Sequence, residues 1–359
     1  MKKVFKIIIG IACTLVLLFG IFIAYCEVPY QTMDNSHGEN HTHFFRDALA
    51  ANANFNNAKL TEISMLASHD SMTDQINMKS TDCPLEDTIA SNKIAKALGK
   101  GLLVRYSKCQ AVDAFEQLKY GVRLLDVRIC YQNDTYYTSH GLISDELSNS
   151  IMKVIKFLDE NPGEFVMFQI THFYAEDINE LSRWQDLEDH IKSVKYNEKS
   201  LFNYVNYSDS VTTFDQLTYG DVTENGTKSG AVIYYTETVP PVGIRNLGPV
   251  YSYWHNKNTH TEIKEGMVET VKKGRELGNA YLRINQTQTT ANFDKPFDAL
   301  YQWSLLARAS DHNAKMTKYF DKAPFDALPI YMCDFATTNN LGFNDKIIQN
   351  MIEFNSKLA

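Results

Sequence analysis

The sequence predicts an α/β protein, a parallel sheet with helical crossovers behind a separate apolar N-terminal segment. Three observations predict it. From Glu62 onward, short β-branched or aromatic runs alternate with amphipathic stretches, and strand then helix, repeated, is the pattern of a parallel sheet. No repeat period or low-complexity tract interrupts that alternation. The chain has 359 residues, 44% of them hydrophobic and 22% charged, which accommodates either two domains or one barrel of about 250 residues with an extension.

The extension comes first. Lys2, Lys3 and Lys6 precede an uncharged, mostly apolar run from Ile7 to Tyr25. Signal-peptide apolar regions run about 7 to 15 residues and a bilayer needs about 20, so residues 1–27 read as an uncleaved signal anchor, with a cleaved signal peptide as the alternative. The lysines keep the N-terminus in the cytoplasm and send the rest of the chain outside. Extracytoplasmic localisation follows, membrane-anchored, or secreted if the segment is cleaved.

Residues 28–60 are polar and Asn-rich, with His37, His41 and His43 close together. No cluster of carboxylates or cysteines accompanies these histidines, so the stretch reads as a solvated stalk and not a metal site.

The strand candidates that follow are Ile63 to Ala67, Val122 to Cys130, Tyr136 to Ser139, Phe165 to Ile170, Ala231 to Thr236, Ala280 to Ile284 and Ile330 to Phe335. Amphipathic stretches at Val112 to Lys119, Leu147 to Asp159, Ile178 to Val194 and Glu262 to Leu277 supply crossovers. About eight such units close a barrel, and Leu201 to Val205 is the candidate for an eighth strand. Residues 61–359 then form one catalytic barrel.

Cysteines and charge bound the partners. No CxxC pair is present, which argues against a zinc site. An oxidising compartment permits a disulfide, and Cys83 with Cys109 is the expected pair; Cys130 and Cys333 lie in apolar runs and read as core. The formal charge of −8, without a basic stripe, excludes a phosphate-backbone binder, so no nucleic-acid partner is expected. Nothing in the sequence calls for an obligate protein partner or a cofactor.

Chemistry in a barrel of this kind sits at the C-terminal ends of strands. The first strand candidate ends in Ser68-His69-Asp70-Ser71, the second carries Asp126-Val127-Arg128, the third ends in His140-Gly141 and the last in Asp334-Phe335. Two histidines can divide acid and base work near neutral pH. An arginine between them suits a phosphoryl oxygen, since its planar fork donates two hydrogen bonds and keeps its charge. The set reads as cleavage of a phosphodiester by paired histidines, without a required metal.

Those residues, with Leu118 to Arg128 and the helix end Phe157-Leu-Asp-Glu-Asn-Pro162 before a strand, resemble the X-domain of phosphatidylinositol-specific phospholipases C. The likeness runs from about Thr61 to Asn355. It implies an irregular TIM-type (β/α)8 barrel acting on a membrane phospholipid. The implied reaction is attack of the inositol 2-hydroxyl on phosphorus, giving diacylglycerol and an inositol cyclic phosphate. By this resemblance His69 is the base, oriented by Asp334; His140 is the acid, assisted by Asp70 and Asp126; and Arg128 holds the phosphate. Calcium-dependent relatives carry an acidic residue where Arg128 stands and an Asn where Asp70 stands, so this chain resembles the metal-independent bacterial branch.

The headgroup contacts depart from that branch. Its usual lysine and arginine are replaced by Ile170-Thr171-His172 and Tyr234-Tyr235. Arg283 is the candidate replacement cation, and Tyr234 and Trp254 are candidates for stacking on a sugar ring. Two other readings compete: a glycerophosphodiester phosphodiesterase, which should open with His-Arg-Gly where this chain has His69-Asp70, and a barrel kept only as a surface binding module.

Overall fold

A computed structural model describes residues 2–29, 36–88, 91–178, 180–236, 247–291 and 304–358. Its centre is a curled sheet of parallel strands: β1 (Met65–Ser68), β2 (Val122–Gln132), β5 (Phe165–Tyr174), β6 (Gly230–Tyr235), β7 (Val250–Trp254), β8 (Leu282–Gln286) and β9 (Ile330–Cys333). They lie in the order β6-β5-β2-β1-β9-β8-β7. Among the described residues β6 and β7 are not paired, so the sheet is an open half-barrel of seven parallel strands. The strands β2, β5 and β6 are largely buried on both faces, as their near-continuous apolar runs require, whereas the edge strand β7 is largely exposed.

Two sequence expectations change here. Leu201–Tyr204 is a short 3-10 helix and supplies no eighth strand. The run at Tyr136 belongs to β3 (Thr135–His140), which is antiparallel to the outer half of β2 and pairs onward with β4 (Leu142–Glu146). The two-residue loop Asn133-Asp134 joining β2 to β3 has both residues at positive φ, 50° and 57°, the conformation whose twist matches a tight hairpin.

Helices cover the sheet. An α-helix at Leu147–Glu160 turns Ile151, Val154, Ile155 and Leu158 onto the core. It stops at Asn161-Pro162-Gly163, where Gly163 takes φ 87°, open to a residue without Cβ. A helix at His260–Leu277 starts from a capping box of Thr259 and Glu262.

The solvated stalk does not hold for residues 36–60; residues 30–35 of that stretch lie outside the described residues. A helix at Phe44–Ala51 buries Phe44, Phe45 and Ala48 completely, and Phe55, Ala58 and Leu60 follow them into the main core. Phe45 stacks on Phe165 with centroids 4.2 Å apart. The fully buried pair Arg123 and Glu164 secures the segment. Glu164 Oε1 accepts from the amides of Phe45 and Arg46, both at 3.1 Å, and Arg123 Nη2 donates to Thr42 O at 2.9 Å. Arg123 is the second residue of β2 and Phe165 the first of β5, so this segment closes the end of the sheet opposite the strand C-termini.

At the other extreme, the helix Lys2–Cys26 carries exposed apolar side chains along its length and is long and apolar enough to cross a membrane. Its last residue, Cys26, is fully buried in a cluster with Leu102, Tyr106, Cys109 and Leu305.

Candidate active site

Register brings the first residues together. Ser68 on β1 pairs with both Leu125 on β2 and Cys333 on β9, so the next residue on each strand, His69, Asp126 and Asp334, emerges at one level of the rim. His69 Nδ1 lies 2.7 Å from Asp334 Oδ1. A carboxylate only accepts, which assigns the proton to Nδ1 and leaves Nε2 for exchange.

Asp70 is the hub. Its backbone takes a positive φ of 43°, which folds the chain back so that its amide donates to Asp126 Oδ2 at 3.1 Å. Asp70 Oδ2 lies 3.3 Å from His69 Nε2 and 3.5 Å from His140 Nε2. Asp70 Oδ1 lies 2.5 Å from Arg128 Nε, an ion pair outside hydrogen-bond geometry. Burial opposes the charge on Asp70, but Arg128, His69, His140 and His172 outweigh it and bring its pKa down to about 2. Burial likewise opposes a charged His69, and Asp70 and Asp334 prevail, pushing it up to about 9.

Arg128 reaches three elements. Beyond Asp70, its Nη1 donates to Glu86 Oε1 at 3.2 Å and its Nη2 lies 3.3 Å from His69 Nε2. Burial disfavours the guanidinium, and Asp70, Asp126 and Glu86 more than restore its charge. A register shift after Val127 passes over Thr171 on β5, whose hydroxyl donates to Asp126 Oδ1 at 2.6 Å.

His140 arrives by the β2–β3 hairpin. Its Nδ1 lies 3.0 Å from Ser107 O and 3.2 Å from Cys109 Sγ. The carbonyl assigns a proton to Nδ1, so the exchangeable position is Nε2, beside Asp70. The two imidazoles stand 6.1 Å apart between ring centroids, at 74°. They border a cavity of about 510 Å³ shared with Asp126, Arg128, Asp334 and Trp254.

Five of the six candidate catalytic residues therefore line one mouth, with Asp70 buried directly behind His69, His140 and Arg128, and Trp254, half-exposed, lies at its edge. Arg283 and Tyr234 do not. The strand carrying Arg283 starts at Leu282, so Arg283 lies at its N-terminal end. There it is consumed by Thr61 O, Asp326 O and Asn279 Oδ1. Tyr234 is fully buried and packs edge-on to Phe214 at 4.9 Å. The expected Cys83–Cys109 pair is also wrong. All described cysteines are free, Cys83 packs with Cys130 and Ile143, and Cys109 lies against His140.

Two functional neighbours escaped the sequence reading. Glu86 holds Arg128, the Ser139 hydroxyl at 3.0 Å and the Gly141 amide at 2.6 Å. Gln110 Nε2 donates to His69 O at 2.7 Å and its Oε1 accepts from Ala336 N at 3.1 Å, fastening the ends of β1 and β9. Both sit in the long β1–β2 connection, where no periodicity marks them.

Among the described residues, His69–Cys109–Asp334, Asp70–Cys109–His140 and His69–Asp70–Asp126 place donor atoms close enough to share a metal ion. The Arg128 guanidinium lies against two of these same donors, Asp70 and His69.

No protein-family model matches the chain. In sequence it is 32% identical over 130 residues to PI-PLC X domain-containing protein 2 of Mus musculus, covering 35% of this chain and 38% of that protein. The chain thus aligns with well under half of this curated relative's length. In fold it superposes on a phosphatidylinositol-specific phospholipase C from Staphylococcus aureus with a TM-score of 0.57 at 16% identity, over 92% of this chain and 100% of that one. The Listeria monocytogenes enzyme of the same name gives 0.56 at 16%, over 88% and 98%. By sequence over about a third of its length the chain is a homologue of the X-domain family of phosphatidylinositol-specific phospholipases C, and over most of its length it shares the fold of the bacterial enzymes.

Proposed function

We propose that the protein cleaves the phosphodiester of an inositol phospholipid, phosphatidylinositol or its glycosylated form, into diacylglycerol and an inositol cyclic phosphate. One observation carries the proposal: two imidazoles, each with a proton held on Nδ1, point their Nε2 atoms toward one cavity on either side of Asp70 and Arg128. In this reading His69 Nε2 takes the proton of the inositol 2-hydroxyl, with Asp334 stabilising the imidazolium that forms. His140 Nε2 protonates the departing glycerol oxygen, and Arg128 binds the phosphoryl oxygens as charge builds on them. In this reading Arg128 supplies the positive charge at the phosphate without a metal.

The N-terminal helix fits a membrane substrate. Its last residue shares a cluster with Tyr106 and Leu305, and both of these also border the catalytic cavity. A retained anchor therefore presents the mouth to the lipid surface it leaves. The test is release of diacylglycerol from phosphatidylinositol vesicles by the native protein, His69→Ala and His140→Ala. Each variant is expected to lose about 10²- to 10⁴-fold, and equal turnover by all three rejects the reading, the binding-module alternative being an equal absence of turnover. Release of glycosyl-phosphatidylinositol-anchored proteins, assayed in parallel, identifies the headgroup.

A further inference from the structure

A second cavity, of about 470 Å³, opens where the foot of the N-terminal helix meets the helix Lys100–Ser107. Among the described residues it shares no lining residue with the catalytic mouth. The two lie back to back across the same short segments: Asp334 and Leu305 line one, Phe335 and Leu306 the other. Pro29, Ile76, Val104, Leu306 and Phe335 give the second cavity an apolar wall. Arg105, Lys79 and Lys108 give it three cations, and no carboxylate among the described residues lines it.

Arg105 is the telling residue. Its side chain is 3% exposed, and none of its three guanidinium nitrogens has a hydrogen-bond partner among the described residues. The guanidinium lies over the ring of Tyr25, 4.5 Å from its centroid, in a cation–π contact. Other deeply buried arginines are satisfied differently: Arg123 pairs with Glu164 and four carbonyls, and Arg283 with carbonyls and Asn279. Lys108 has Asp74 within electrostatic reach. A buried guanidinium without an acceptor is costly, and an incoming anion is what would relieve that cost.

The position selects the anion. The cavity lies at the end of a 25-residue apolar helix, at the depth where a bilayer's headgroups begin. Three cations beside an apolar wall match a phosphate carried on an acyl-bearing molecule better than a free ion. We infer that this cavity binds the phosphate of an anionic membrane phospholipid, at a site separate from the catalytic mouth. The inference rests on the N-terminal helix lying in the membrane and is independent of which headgroup the enzyme cleaves.

The test uses the full chain in an uncharged detergent, with dihexanoyl-phosphatidylglycerol as the probe and dihexanoyl-phosphatidylcholine and inorganic phosphate as comparisons. Calorimetric binding and Tm are read together. Phosphatidylglycerol is expected to bind and raise Tm, phosphatidylcholine less, and inorganic phosphate little; an equal response to inorganic phosphate overturns the lipid assignment. Arg105→Met is expected to weaken phosphatidylglycerol binding about 10- to 100-fold, the worth of a charge-assisted contact, while the ligand-free Tm stays equal or rises because an unpaired charge is gone. A lowered ligand-free Tm with binding retained overturns the inference. Should Arg105→Met fail to fold, Lys79→Ala, on an exposed side chain, decides: several-fold weaker binding supports the site, and unchanged binding rejects it.

Discussion

Glu86 Oε1 accepts from Arg128 Nη1 at 3.2 Å while its Oε2 accepts from the Gly141 amide at 2.6 Å. One buried carboxylate thus holds both Arg128, the proposed phosphate-binding cation, and the turn that presents His140. Glu86→Gln keeps the shape and removes the charge. We expect kcat to fall about 10- to 100-fold, in line with the loss of charge-assisted hydrogen bonds, with Tm changed little. A variant with native kcat removes Glu86 from any positioning role.

The pH profile follows from His69. Asp70 and Asp334 raise its pKa to about 9 against the effect of burial, and a base acts only when neutral. Turnover measured as kcat/KM should therefore climb with pH until about 9, by up to tenfold per unit. Asp334→Asn removes one raising charge and should move that break to lower pH, whereas Arg128, which opposes protonation, remains. A break that does not move identifies some other group as the titrating one.

Arg128 should not be replaceable by lysine. The guanidinium addresses Asp70, Glu86 and His69 through separate nitrogens, and one ammonium cannot reproduce that fork. Arg128→Lys is expected to lose about 10²- to 10³-fold in kcat, the range found for removal of a transition-state donor. Native activity should persist in EDTA. Loss on chelation with recovery on added calcium would replace Arg128 by a metal in the mechanism.

The segment Phe44–Ala51 should behave as structure. Glu164→Ala leaves Arg123 buried and unpaired and frees the amides of Phe45 and Arg46. Breaking such a pair typically costs about 3–5 kcal/mol, readable in urea unfolding. Native stability in this variant would mean the segment is not held to the sheet.

Much of the site was written in the strand ends. His69, Asp70, Asp126, Arg128, His140 and Asp334 stand beside recognisable apolar runs, and the rule that chemistry gathers at strand C-termini selected them. The apolar length of Lys2–Cys26 was equally plain. Residues whose role depends on a partner far along the chain were not legible. Glu86, Gln110 and Cys109 lie in an irregular connection, and only the folding of that connection over the rim sets them against Arg128, His69 and His140. Phe44 and Phe45 looked like two aromatics in an Asn-rich stretch until Arg123 and Glu164 gave their backbone somewhere to dock.

Local pattern, then, determined the α/β class, the alternation and the candidate acid–base residues, because periodicity and side-chain chemistry are properties of neighbouring residues. Register determined the rest. The pairing of Ser68 with Leu125 and Cys333 levels His69 with Asp126 and Asp334, and a two-residue difference in where β8 begins sends Arg283 to the closed end. Such offsets are settled by packing across the whole sheet, where one residue of slip exchanges its two faces, and no single segment carries them.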